Sequence, residues 1–181
     1  YCYSLCAVAF GDDVATRGSS AFAGCSSLSS VTIPASVSYI GYSTFGSCNS
    51  LNSIVVESGN TAYDSRNNCN AIIKTASNTL ITGCQSTIIP ETVTTIGDEA
   101  FYGCDGLTTI VIPNSVTSIG YSAFANCDNL SSVDLGNGVT TISGSAFEYC
   151  YAMTSVTIPA SVTEIGSWAF YNCPTIVMEG T

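Results

Sequence analysis

The residues of this chain that could do chemistry are cysteines and carboxylates, because the sequence contains no histidine. Without an imidazole, Ser-His-Asp and Cys-His nucleophile systems, histidine-ligated metals and histidine proton shuttles are excluded. Ten cysteines leave disulfides, thiolate metal sites or buried thiols, and paired acids leave general acid and base catalysis. The spacing of these residues decides among the possibilities.

Seven of the ten cysteines follow a period of 23 residues, in two runs that are 56 residues apart: Cys2, Cys25 and Cys48, then Cys104, Cys127, Cys150 and Cys173. Parallel stacked strands hold equivalent side chains about 4.8 Å apart, whereas a disulfide needs Cβ atoms at about 3.5–4.5 Å. Zinc needs four converging sulfurs, and a ladder sets them in a row. We therefore predict reduced, buried thiols that pack as small hydrophobic side chains, with no metal site and no cofactor.

Cys69 and Cys84 stand outside the ladder and are candidates for a disulfide. Two apolar runs, 71–74 and 79–82, flank a short polar turn, which is typical of a β-hairpin. A turn centred between residues 76 and 77 would place Cys69 and Cys84 opposite each other on the two strands. The alternative is that Cys84 fills an inward leucine position and Cys69 only packs nearby.

Asp105 and Asp128 occupy the same position in adjacent repeats and are the only candidates for paired-acid catalysis. Stacking would bring them near the separation of about 5 Å that a retaining glycosidase uses. Each, however, follows a ladder cysteine at a corner, where aspartate commonly caps a turn. We favour the turn interpretation, with a weak cation site as a minor alternative, and we predict no catalytic residue.

Other residue types keep the same frame, and the composite repeat reads C-x-x-L-x-x-V-x-I-P-x-S-V-x-x-I-G-x-x-A-F-x-x. The V-x-I segment alternates as a half-buried strand does, and the following proline ends it. A second extended segment, V-x-x-I, ends at a glycine corner, where we expect positive φ. The A-F-x-x-C segment predicts a single helical or 3-10 turn. Self-similarity at this period is the signature of a stacked solenoid.

The segment Ile112–Cys127, which reads I-P-N-S-V-T-S-I-G-Y-S-A-F-A-N-C, resembles the BspA-like type of leucine-rich repeat found in bacterial and protist surface proteins. The resemblance implies a right-handed leucine-rich-repeat solenoid with short strands and single helical or 3-10 turns. It also implies surface display and attachment to host or matrix proteins or to other cells. The sequence departs from the pattern at Arg17, Gly136, Ser143 and Glu179.

We expect residues 1–181 to form a single solenoid domain, interrupted within residues 57–86 by a β-hairpin that protrudes from the stack. The chain begins at Tyr1 rather than at a methionine, so we expect it to be a piece of a longer protein.

The composition narrows the classes of partner. Only 9% of residues are charged, and the net charge is −10, with 27 serines and 21 threonines available to cover the surface. This balance argues against binding to nucleic acid or to anionic membranes. No apolar run approaches the roughly 20 residues of a membrane-spanning helix, so we predict no membrane insertion.

Small hydroxyl side chains dominate the outward positions of the first strand of each repeat. These positions form a candidate binding face: Ser30, Thr32, Ser53, Val55, Thr109, Val111, Ser132, Asp134, Ser155 and Thr157. The strand face is the usual binding surface of a curved solenoid, although serine and threonine are also simply acceptable on an exposed strand. Aromatic residues near the A-F corners are alternative anchors: Tyr42, Tyr102, Tyr121, Trp168 and Tyr171.

These observations favour a non-enzymatic, extracellular or cell-surface adhesion module that binds a host or matrix protein or a glycan through the repeat face. The alternatives are a structural stalk within a larger surface protein, a carbohydrate-active solenoid enzyme and, more remotely, an ice-binding protein. We expect a monomer or part of a longer repeat array.

Overall fold

The computed structural model describes residues 4–8, 10, 16–154, 156–174 and 176–178. Across them the chain forms a β-solenoid of about seven turns with almost no helix, which confirms the predicted repeat solenoid with short strands. In chain order its strands are β1 (Ala7–Val8), β2 (Thr16–Arg17), β3 (Ser30–Ile33), β4 (Tyr39–Ile40), β5 (Ser53–Val56), β6 (Tyr63–Asp64), β7 (Ile72–Lys74), β8 (Thr79–Thr82), β9 (Thr95–Ile96), β10 (Thr109–Val111), β11 (Ser118–Ile119), β12 (Ser132–Asp134), β13 (Thr141–Ile142), β14 (Val156–Ile158), β15 (Glu164–Ile165) and β16 (Ile176–Met178).

The first strand of each repeat is half-buried, as its alternating sequence predicts. In β3, Val31 and Ile33 are buried while Ser30 and Thr32 are exposed. This strand pairs in parallel with β5, and each residue faces the one 23 positions later, such as Ser30 and Ser53. Because register follows the repeat, every inward Val or Ile lies on its equivalent in the next coil.

The second strands form the longest sheet, which has seven strands in the order β15-β13-β11-β9-β8-β7-β6. Strands β9, β11, β13 and β15 pair in parallel at the 23-residue offset. Each contributes one buried isoleucine from a segment only two residues long, except in β15, where Ile165 is exposed. Strands this short are stable only because stacking continues the hydrogen-bond ladder on both sides.

The glycines that follow the second strands are required by close packing, so the expectation of positive φ at these corners is wrong. A Cβ at Gly41 would lie 2.5 Å from the backbone nitrogen of Ser19, and one at Gly120 would lie 2.6 Å from that of Asp98. Positive φ instead falls two residues later on non-glycine residues, including Ser122 at 50°.

The A-F-x-x-C segments are tight turns rather than helices, which corrects the predicted helical or 3-10 turn. Within the described residues the only 3-10 helix is Arg66–Asn68, outside these segments. In each turn the backbone N–H groups alternate in direction. Ala123, Ala125 and Cys127 donate to carbonyls three residues back in their own turn, whereas Ser122, Phe124 and Asn126 donate to Gly144, Ala146 and Glu148 of the next coil. The turn therefore joins two coils instead of satisfying only itself.

Phenylalanine rings fill the interior behind these turns. Phe124 is fully buried, and its ring is nearly parallel to those of Phe101 and Phe147, with centroids 4.8 and 5.0 Å away. That spacing equals the distance of about 4.8 Å between stacked strands. The ring stack and the backbone ladder are thus in step.

The insertion contains the predicted hairpin, but the hairpin does not protrude. Strand β7 pairs antiparallel with β8, and β8 pairs in parallel with β9, so the hairpin extends the seven-stranded sheet. On the opposite side of the stack the turns of two distant repeats become neighbours, because the N–H of Ser47 donates to the carbonyl of Tyr102.

Arg66 fixes the hairpin to the preceding segment. Its guanidinium donates to both carboxylate oxygens of Asp64, at 2.7 and 2.6 Å, and also to Asn78 and Thr92. Burial opposes the ionisation of Asp64, but the hydrogen bonds from Arg66 and Thr75 hold the pKa of this carboxyl below its usual value.

The predicted bridge between Cys69 and Cys84 is not formed, and both cysteines are buried free thiols. The hairpin keeps the predicted register from Lys74↔Thr79 to Ile73↔Leu80, but a register shift follows, and Ile72 faces Thr82 instead. The cysteines therefore leave their opposing positions. Cys84 is 1% exposed, consistent with the inward leucine position of the alternative interpretation.

The ladder cysteines that the structure describes are all free thiols, as predicted; Cys2 lies outside the described residues. Their role is more specific than hydrophobic filling. The thiol of Cys127 donates to the carbonyl of Phe101 at 3.1 Å, and Cys48, Cys150 and Cys173 make the equivalent bond to the phenylalanine 26 positions earlier. Burial raises the pKa of Cys48 to about 12, which keeps the thiol protonated and able to donate.

We expect Phe124→Ala to lower the free energy of unfolding by about 3–5 kcal/mol, because a buried ring is lost between two others. Urea denaturation of the purified chain measures the change. Tyr171→Ala, at a half-exposed position, is the control and should change stability by less than about 0.5 kcal/mol. A loss below about 1 kcal/mol for Phe124→Ala would show that the ring stack is not the core.

We expect Asp64→Asn to destabilise the chain at neutral pH by about 1 kcal/mol, because Arg66 loses a charged, bidentate partner. The pKa of Asp64 is lowered in the folded state, so its contribution is complete above the usual carboxyl pKa of about 3.9 and is lost as the pH falls through the lowered value. Urea denaturation at several pH values should show the difference from wild type shrinking in acid. A difference independent of pH would contradict this role, and exposed Glu91→Gln is the control.

We expect Cys6, which is exposed, to react with a thiol reagent in the native state well before the buried cysteines. In a Cys2→Ser variant, rapid modification should stop at one thiol, and unfolding without reductant should release the remaining eight. Mass spectrometric detection of a disulfide between ladder cysteines would overturn the described stacking.

Candidate binding surface

The outward positions of the first strands are exposed, as predicted from the sequence. Eight of the ten predicted face residues are exposed: Ser30, Thr32, Val55, Thr109, Val111, Ser132, Asp134 and Thr157. Ser53 is half-buried, and Ser155 lies outside the described residues. Register brings these positions into rows, with Thr32 facing Val55 and Val111 facing Asp134 in neighbouring strands.

The face is not one continuous sheet. Its strands pair as three separate groups: β1-β3-β5, β10-β12 and β14-β16. The insertion causes the break between the first two groups, because its own backbone and side chains take over the ladder bonds. The N–H of Val56 donates to the hydroxyl of Ser65, and the N–H of Ile88 donates to the carbonyl of Cys69.

Ile88 belongs to this face and was not among the predicted residues. Its side chain is 78% exposed, more than any other large hydrophobic side chain that the structure describes, while neighbouring Ile89 is buried. The signal was available in the sequence, since Ile88-Ile89-Pro90 has the frame of Val111-Ile112-Pro113. With Val55 at 46% and Val111 at 66% exposure, it gives the face three exposed β-branched side chains at equivalent positions.

The charge on this face is low. Asp134 is the only charged residue among the predicted face positions, and its carboxylate accepts the N–H of Gly136 at 3.0 Å. That bond caps the turn that replaces the usual proline. The surface is therefore a mixture of hydroxyl and aliphatic groups.

Asp105 and Asp128 are held as turn residues. The carboxylate of Asp105 accepts the side-chain amide of Asn49 at 2.6 Å and a backbone bond from Asp128. Burial, followed by the neighbouring charge of Asp128, raises the pKa of Asp105. The two acids are neighbours, as predicted, and their bonds are those of the predicted turn caps.

The aromatic corner residues lie on the turn side of the stack. Of those predicted, four are exposed, while Tyr102 is half-buried. Two more tyrosines that were not predicted join Trp168 and Tyr171 in a cluster of ring contacts. Tyr149 lies 5.6 Å from Tyr171 and 5.8 Å from Tyr151, between ring centroids.

Neither a metal centre nor a membrane anchor is present within the described ranges. Those residues contain no group of three or more cysteine, aspartate or glutamate side chains placed to hold a metal ion. Among them, no helix has the length and apolar character needed to cross a bilayer.

Comparison with known proteins identifies the repeat. The family model described as a BspA-type leucine-rich repeat region matches residues 1–82 and 77–178, with six copies. No curated protein matches the sequence.

Three solved structures share the fold. A leucine-rich cell surface protein from Faecalibacterium prausnitzii is 28% identical, with a TM-score of 0.79, over 100% of this chain and 55% of its own. A leucine-rich repeat protein from Bacteroides ovatus is 30% identical, with a TM-score of 0.61, over 96% and 43%. The pneumococcal vaccine antigen PcpA is 23% identical and shows the fold alone, with a TM-score of 0.80, over 93% and 43%.

The chain thus spans about half the length of the solved structures it matches. The family model covers nearly all of the sequence, and the ladders of cysteine, phenylalanine and inward isoleucine described above are those of its repeat. The chain belongs to the BspA-type leucine-rich repeat family.

Proposed function

We propose that this chain is a non-enzymatic adhesion module of the cell surface that binds a partner protein through the first-strand face. The observation that carries this proposal is the exposure of Val55, Ile88 and Val111 at equivalent positions of that face. Exposed aliphatic side chains repeated in register are costly in water unless a partner covers them.

The surroundings of these side chains favour a protein partner over a small substrate. Ser30, Thr32 and Thr109 offer short hydroxyls, which pack closely and lose little conformational entropy on burial. An aliphatic centre with a polar, weakly charged rim is the usual composition of a protein interface. The face is convex or flat at the level of its side chains, without the enclosed pocket that a small substrate needs.

Similar proteins support the proposed location and class. The F. prausnitzii relative is a cell surface protein, and the pneumococcal relative is a vaccine antigen. A surface module built from leucine-rich repeats is a scaffold for recognition, because its stacked coils present an extended binding surface. Attachment to a host or matrix protein, or to another cell, is the activity we propose for this chain.

We expect the double variant Ile88→Arg and Val111→Arg to reduce partner binding at least tenfold, because two cations replace the aliphatic centre. Surface plasmon resonance against immobilised collagen, laminin and fibronectin, and flow cytometry on epithelial cells, would measure it. The fold should persist, because both side chains are exposed. Tyr121→Arg with Tyr151→Arg is the matched control on the turn side and should bind as wild type does.

If the strand-face variant binds unchanged and the control variant does not, the interface lies on the turn side. Absence of any binding by the wild-type chain to these proteins and cells would favour the structural stalk. Hydrolysis of a glycan that is abolished by Asp105→Asn with Asp128→Asn would overturn the non-enzymatic assignment.

A further inference from the structure

The insertion opens a groove on the second-strand side of the stack, away from the first-strand face. The groove has a volume of about 430 Å³ and runs from β4 over β8, β9 and β11 to Ser143 in the following coil. Strands β8, β9, β11 and β13 are consecutive neighbours, so these four levels extend about 14 Å along the stacking axis at about 4.8 Å per strand.

The groove exists because the insertion interrupts the second-strand ladder. Strand β4 pairs only with β2, while β6 forms the end of the seven-stranded sheet. The backbone N–H of Ile40, which would continue the ladder, donates instead to the hydroxyl of Tyr63 at 3.0 Å. Tyr63 is 5% exposed. A buried side chain thus closes the sheet edge and leaves space above it.

Hydroxyl groups line the floor of this groove at regular spacing. Thr79 faces Thr95, and Thr95 faces Ser118, in parallel register. All three are half-buried and line the groove. They form a row with one hydroxyl per strand.

Two tyrosines form the wall beside β4. Tyr39 is 50% exposed and Tyr42 is 63% exposed, and both line the groove. Rings held at a groove margin present apolar faces to a ligand while their hydroxyls remain available for hydrogen bonds.

One cation and one anion complete the site. Lys74 lies on the hairpin directly opposite Thr79 and is exposed. Asp98 is also exposed and is oriented by the backbone N–H of Tyr121, which donates to one carboxylate oxygen at 2.7 Å. The second oxygen has lone pairs to accept from a ligand. The two charges are opposite, so these groups offer a donor and an acceptor without net charge.

We propose that this groove binds a neutral linear glycan. The exposed tyrosines stack on the C–H faces of sugar rings, and the row of threonine and serine hydroxyls bonds to successive sugar residues. A linear glycan advances per sugar by a distance comparable to the strand spacing, so each level of the stack meets an equivalent part of the ligand. Lys74 and Asp98 bind sugar hydroxyls as donor and acceptor.

The charge of the chain favours a neutral glycan over a polyanionic one. A net charge of −10 repels an anionic polymer over the range of the Debye length, and Lys74 is the only basic residue in the groove. An extended peptide would bind most strongly by adding to an open strand edge, and at β4 the N–H of Ile40 is already occupied by Tyr63.

The test is calorimetric titration of the chain with cellohexaose, maltohexaose, mannohexaose and chitohexaose, and with a heparin-derived hexasaccharide. We expect at least one neutral hexasaccharide to bind. Tyr39→Ala with Tyr42→Ala should weaken its affinity at least tenfold, and the corresponding Phe variants should keep most of it. Thermal unfolding should be unchanged, because both rings are exposed.

Tyr151→Ala with Tyr171→Ala, exposed tyrosines outside the groove, is the matched control and should bind the hexasaccharide as wild type does. Ile88→Arg with Val111→Arg should also bind it, which separates this site from the first-strand face. The proposal is overturned if no neutral hexasaccharide binds, if heparin hexasaccharide binds more tightly, or if affinity survives loss of both tyrosines. Selection of tyrosine-dependent peptides from a displayed library, with no hexasaccharide bound, would assign the groove to a peptide instead.

Discussion

Parallel stacking in strict 23-residue register is the constraint on which the rest of this structure depends. A coil with strands of two to four residues buries too little to be stable alone, so each coil relies on the ladder to its neighbours. The register makes inward positions meet their equivalents, and the rings of Phe101, Phe124 and Phe147 stack with centroids 4.8–5.0 Å apart. One spacing therefore governs strands, turns and side-chain stacks together.

The ladder cysteines show how this constraint selects a side chain. Each turn directs alternate N–H groups to its own coil and to the next one, which leaves capacity on the phenylalanine carbonyls. The carbonyl of Phe124 accepts the N–H of Cys127 and the thiol of Cys150. Alanine would fill similar space without donating, and serine would bring a more strongly hydrated hydroxyl into an apolar interior. Cysteine is small, apolar and still a weak donor.

The insertion gives a repetitive scaffold its only asymmetric features within the described residues. It divides the first-strand face, adds an antiparallel hairpin to the seven-stranded sheet and lets the turns of Ser47 and Tyr102 meet directly. It also recruits Tyr63 to close an edge that a regular coil would have paired. Identical coils present the same surface at every level, whereas a break in the pattern creates a distinct concave site. The two proposed sites thus follow from the two parts of the sequence, the repeat and its interruption.

The repeat alone determined the solenoid, its half-buried strands, the free thiols and most of the exposed face, because side-chain direction in a strand is fixed by a period of two and register by a period of 23. Only the tertiary structure decided how the insertion joins the stack. A register shift beside Ile73 separates Cys69 from Cys84, and pairing of β8 with β9 keeps the hairpin inside the sheet. The corner glycines and the turns after them also depended on contacts between coils, since Gly41 and Gly120 are required by backbone atoms more than twenty residues away. Local sequence specifies which way a side chain points, but it does not contain the position of the neighbouring coil against which that side chain must fit.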